Sequence, residues 1–138
     1  EYNYSDAPLT FYQIWIETQS NNIKPQWQAK EFPTEFSDHL PLLVSGHQQD
    51  QGNALPINQQ ARIYGGKVKQ GEKFSHPIDD QAYILASSGQ FEIIDNTDSE
   101  RKNVTLMNKG DGAEIVNLSE VSIHTLSDSE IVLIDVPA

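Results

Sequence analysis

The chain contains no cysteine, which excludes a disulfide framework, a thiolate metal site and a thiol nucleophile, and fits a reducing compartment, with the cytoplasm as the expected location. Basic residues are scarce: nine Lys plus Arg stand against twenty Asp plus Glu, a formal charge of −11. That balance repels phosphate backbones and anionic lipid, so neither nucleic acid nor a membrane surface is an expected partner. No apolar run approaches the about 20 residues a membrane helix needs. The chain opens on Glu1-Tyr2-Asn3 rather than a basic and then apolar leader, and without an initiator methionine; the natural protein is expected to extend further toward its N-terminus. At 138 residues the length suits one domain, able to bury roughly two thirds of the surface its unfolded chain exposes.

A helical stripe is also missing, and short alternating runs take its place. Phe11 to Glu17 alternates as a strand, with Tyr12, Ile14 and Ile16 on one face. Gln26 to Phe32 reads as a short edge strand between Pro25 and Pro33. Leu40 to Val44 and Gln60 to Tyr64 follow as strands. Gly65-Gly66 reads as a break, and His76-Pro77 as a turn. Further runs of strand composition cover Ala82 to Ala86, Gln90 to Asp95, Asn103 to Met107, Ala113 to Val116, Val121 to Leu126 and Glu130 to Val136, with turn residues between them. Strands of this length and spacing argue an all-β sandwich or barrel.

Two groups of residues carry a family resemblance. One is Glu1-Tyr2-Asn3 with Gln13-Ile14-Trp15-Ile16 and Asn22-Ile23-Lys24-Pro25. The other is Lys109-Gly110-Asp111-Gly112-Ala113 with Ile123-His124 and the run from Ser127 to Pro137. In order and spacing they resemble the bacterial pirin-like proteins, which are bicupins: two jelly rolls in one chain. The resemblance implies an all-β cupin jelly roll, with residues 1–10 a remnant of the N-terminal cupin and linker and residues 11–138 the C-terminal cupin. It also implies a metal in the N-terminal cupin held by three His and one Glu. Glu1 resembles that glutamate, a remnant ligand separated from its histidines.

The resemblance places a second metal motif on this domain for inspection. The first His position falls on His76, but the second falls on Ile78, the Glu position on Ala82 and the third His position on Ala113. Isoleucine and alanine cannot coordinate a cation, so no cofactor is expected in this chain. A transition metal (Fe, Cu, Mn or Ni) is expected only in the intact protein.

His39 and His47 sit among polar or turn residues and read as surface histidines. His124 alternates with Ile123 and Thr125, so it either points into the barrel or pairs across its outer face. Asn103-Val104-Thr105 is a glycosylation sequon and also a plain strand start. Gly110-Asp111-Gly112 lacks the following helix of a phosphate loop and reads as a turn. Ser122, His124 and Asp135 lack a nucleophile elbow, and no catalytic constellation emerges.

The expected role is therefore that of a metal-free C-terminal cupin that completes or stabilises the metal-bearing N-terminal cupin, its main partner. The resemblance implies that the intact protein is a metal-dependent dioxygenase acting on flavonols such as quercetin. A second expectation is a regulatory module that binds a protein partner, as a transcription cofactor does. A third is a jelly roll holding a small ligand, with His124, Tyr83 and Tyr64 as pocket residues.

Overall fold

The computed structural model describes residues 2–97 and 103–138. Nearly all of its regular structure is β, in two facing sheets. Strands β1 (Phe36–Ser37), β2 (Leu42–Ser45), β3 (Leu55–Pro56), β4 (Arg62–Val68), β6 (Gln81–Ser88), β9 (Gly112–Val116) and β11 (Ser129–Val136) make the larger sheet. Its order is β3-β2-β4-β11-β6-β9, with β1 lying parallel on β4. The smaller sheet has the order β5 (Lys73–Pro77), β10 (Glu120–Thr125), β7 (Gln90–Asp95) and β8 (Asn103–Asn108).

The pleat explains the layering. In β11, Ser129, Ile131, Leu133 and Asp135 face inward and alternate with half-buried residues; in β10, Val121, Ile123 and Thr125 do the same from the opposite sheet. Between the layers, Val68, Ile84, Phe91, Met107, Ile115 and Leu40 complete one core. Each such aliphatic side chain removed from water contributes about 1.5–3 kcal/mol. Because the period is two, a slip of one residue would turn this whole set outward.

One corner joins the sheets. The chain leaves β6 at Ser88, turns at Gly89 and enters β7 at Gln90. Gly89 has φ +77, and a Cβ there would come within 2.3 Å of the Asp128 carbonyl oxygen and 2.4 Å of Ser129 Oγ. The Ser127–Ser129 turn fits closely because it holds the corner: the Gln90 N–H donates to Ser127 Oγ at 2.9 Å and Ser129 Oγ at 3.1 Å.

Several local expectations need correcting. Gly65-Gly66 does not break a strand but lies inside β4, where the missing side chains admit Leu43 and Pro41 at 3.1 Å from each hypothetical Cβ. His76-Pro77 is not a turn but the end of edge strand β5, where proline is tolerated. Phe11 to Glu17 and Gln26 to Phe32 form no strands. Alternation alone makes no strand without a ladder partner, and this arm is tied down by scattered bonds: Gln19 N–H to the Asn58 carbonyl at 2.7 Å, Gln59 Nε2 to the Glu17 carbonyl at 3.1 Å, and Lys30 Nζ to the Asn53 carbonyl at 3.0 Å. The remaining strands of the last third appear within a residue or two of their expected bounds.

Candidate functional site

At one end of the barrel the inward row of polar residues forms a cluster. Arg62 opens β4 and Asp135 lies opposite it near the end of β11. Arg62 is buried, and its Nε donates to Asp50 Oδ2 at 2.7 Å while Nη1 pairs with Asp79. Asp50 sits at the end of a short 3-10 turn and also accepts from Ser45 Oγ at 2.7 Å. Asp135 accepts the backbone N–H of Asp79 at 2.8 Å. The guanidinium thus fastens two loops, one from each side, across the mouth.

The electrostatics follow from that arrangement. Burial alone would raise Asp50 and lower Arg62, but the bond between them overrides it, so Asp50 lies below the usual carboxylate range and Arg62 above its ordinary value. Burial, helped by the nearby Asp79 carboxylate, raises Asp135. Burial also raises the Tyr64 phenol; the Arg62 charge opposes this while Asp79, Asp135 and Asp50 reinforce it.

Deeper in the barrel, Tyr64 meets His76 edge to face with ring centroids 4.4 Å apart. His76 pairs with Val121 across the ladder and is only 5% exposed. Its Nε2 is buried without a hydrogen-bond partner among the described residues. Burial, with a smaller push from His39, depresses its pKa to about 4, so the ring is neutral near pH 7.

This interior does not fit a metal. Ile78 and Ala82 are buried in the core, and Ala113 packs against it. Side chains of these kinds cannot coordinate a cation, and His76 Nε2 is a buried nitrogen without a partner among the described residues. Among the described residues no group of three or more His, Asp or Glu could hold a metal ion. Glu1, the expected remnant ligand, lies outside the described residues.

The three expected pocket residues lie on three different surfaces. Tyr64 faces the interior beside His76. Tyr83 lies on the outer face of the larger sheet, 47% exposed, its phenol lying over Gly112 of β9. His124 lies on the outer face of the smaller sheet, where its Nδ1 bonds to Glu92 Oε2 at 3.1 Å beside an open groove of about 390 Å³ lined in part by Lys73, Ser75, Asn96 and Ser122. That resolves the alternative left open for His124: it pairs across the outer face. His39 is exposed and bonded to Asp38. The Arg62 clamp went unseen in the sequence because its partners lie 12 and 17 residues away in loops; an arginine at the start of an apolar strand was the one available signal.

A two-sheet jelly roll with a buried guanidinium bridging two loops at one end and a largely apolar interior is a cupin, in which no metal ligand set is assembled among the described residues. Residues 42–136 match the quercetinase C-terminal cupin domain. The chain belongs to that family and is pirin-like. It is 33% identical over 138 residues to a pirin-like protein of Caulobacter vibrioides, covering 98% of this chain and 55% of that one. It is 29% identical to a quercetin 2,3-dioxygenase of Escherichia coli, covering 99% of this chain and 55% of the relative. Among solved structures, YhhW from Escherichia coli superposes with a TM-score of 0.73 at 25% identity over 89% of this chain and 48% of that one. The same bacterial pirin, YhhW, solved in complex with nickel(II), shares the fold with a TM-score of 0.71 at 24% identity, over 87% of this chain and 47% of its own. The chain spans about half the length of the curated relatives it matches. Among the described residues no helix is long and apolar enough to cross a membrane.

Proposed function

We propose that this domain is the metal-free companion cupin of a pirin-like protein, stabilising a metal-bearing cupin and closing one side of its pocket, in a whole protein that acts as a quercetin-type dioxygenase. The observation that carries the reading is the interior itself: Ile78 and Ala82 are buried in the core and Ala113 packs against it, at the motif positions where coordination would need imidazole and carboxylate. The relatives' names and the half-length match support the rest. The neighbouring cupin supplies the transition metal at which dioxygen and flavonol are activated. This chain contributes a two-sheet jelly roll with its own core and an arm whose Trp15 and Trp27, both more than four-fifths exposed, offer apolar surface to a neighbour.

Elemental analysis of this domain is expected to find metal well below one equivalent, and the full-length protein loaded with iron, copper, manganese or nickel is expected to consume oxygen with quercetin. One equivalent bound here and lost in H76A would overturn the metal-free role; an inert loaded full-length protein would overturn the dioxygenase reading. The chain's charge of −11 favours a second reading, docking of the pirin-like protein on a basic protein partner. Salt-sensitive binding to such a partner, with no oxygen uptake, would select it.

A further inference from the structure

Sheet edges invite pairing unless something blunts them, and three of the edges here are blunted. Strand β5 carries Lys73 and ends on Pro77, β3 is two residues long and ends on Pro56, and β9 carries Glu114 in its middle. Strand β8, at the end of the smaller sheet, is different. Its six residues Asn103-Val104-Thr105-Leu106-Met107-Asn108 contain no charge, proline or glycine, and its middle is rich in strand-forming side chains. Val104 and Leu106, 51% and 48% exposed, stand on the outer face in register with Ile94 and Glu92 of β7. Met107, on the opposite face, is anchored in the core, which fixes which side chains of the strand turn outward. Alternate N–H and C=O groups of such a strand point away from β7, its one ladder partner among the described residues.

We propose that β8 is a self-pairing edge, through which two copies of this chain join their smaller sheets antiparallel about a two-fold axis at Thr105. In that register Val104 of one copy stands opposite Leu106 of the other, and Thr105 opposite Thr105. The outer face then gains a continuous apolar strip running from Ile94 through Val104 and Leu106 into the partner's equivalent residues. A second copy is the occupant because the strand is complementary to itself in this register, which sets both Val104–Leu106 pairs against each other. A register centred on Leu106 would put Val104 against Asn108, and a shift to an odd sum would pair inward with outward side chains. A contact of one strand and four apolar side chains is small, so the association is weak and concentration-dependent.

The test uses the full-length protein in sedimentation and in hydrogen exchange across a wide concentration range. Self-association is expected, with β8 amides gaining protection as concentration rises. L106K and V104E are each expected to weaken association by roughly tenfold or more, and the double variant V104E/L106K to restore it, because the introduced opposite charges would face each other across the two-fold. Both substitutions fall on half-exposed outer-face positions, so far-ultraviolet circular dichroism and the melting temperature of each variant are expected to match the parent. A monomer at every concentration, protection of β8 independent of concentration, or a dimer indifferent to L106K would each overturn the proposal.

Discussion

The imidazole of His76 stands edge-on to the Tyr64 ring at 4.4 Å between centroids, and its Nε2 has no hydrogen-bond partner among the described residues. A nitrogen left that way costs desolvation energy without return, and the ring persists because its protonated form is suppressed rather than satisfied. Acid stability follows from this. The folded pKa is about 4 against 6.5 for the free group, so the unfolded chain takes up the proton first. Stability is at its full value above pH 6.5 and falls by about 3 kcal/mol as pH drops toward 4. Urea unfolding at a series of pH values measures it.

His76→Leu is expected to flatten that slope while leaving stability at pH 7 within about 1 kcal/mol of the parent, since an apolar replacement removes an unpaired group and most of its cost. The pH dependence that remains then includes Asp135, whose raised pKa acts with the opposite sign. Its burden on the fold is greatest at high pH and is relieved as pH falls through its folded value.

Arg62→Met is expected to cost about 3 kcal/mol, because it leaves the carboxylates of Asp50 and Asp79 facing the mouth without their cation. Chemical denaturation gives the size. Faster hydrogen exchange confined to residues 48–50 and 78–80 would show that the loss begins with release of the two loops.

Gly89→Ala is expected to destabilise by about 2 kcal/mol or more, combining a positive φ with a clash against the backbone of Asp128 and Ser129. Thermal melting reads it. Gly110→Ala, with a similar φ but no atom near the hypothetical Cβ, is expected to lose only the conformational part, about 1 kcal/mol.

Restoring ligands is expected to restore coordination. The triple variant I78H/A82E/A113H adds two imidazoles and a carboxylate at core-facing positions of the jelly roll that holds His76, and cobalt(II) titration is expected to develop visible absorption that the parent lacks. An unchanged spectrum in a folded triple variant would mean that these positions do not converge on one point.

The fold class and the strands of the last third were legible because period-two alternation over β6, β7, β10 and β11 coincides with burial residue by residue. The apolar identity of Ile78, Ala82 and Ala113 was legible too, since side-chain chemistry needs no coordinates, and the fold adds that Ile78 and Ala82 lie in the core with Ala113 packed against it. The arm from Phe11 to Glu17 misled because it alternates like a strand, yet alternation records only what a segment could bury and not whether a ladder partner is within reach. Gly65-Gly66 misled for the converse reason: glycine in β4 marks the close approach of Pro41 and Leu43, a long-range crowding that a local reading takes for a break.

The sequence by itself determined the all-β class, the inward aliphatic residues and the absence of thiol chemistry, all of which depend on what each residue is and on its parity along the strand. Tertiary structure alone decided that Arg62 closes the mouth on Asp50 and Asp79, that His124 turns outward to Glu92, and that β8 ends a sheet while β10 lies inside one. Those are relations between segments many residues apart. They are fixed by which strands share hydrogen bonds, and a one-dimensional pattern does not encode that pairing.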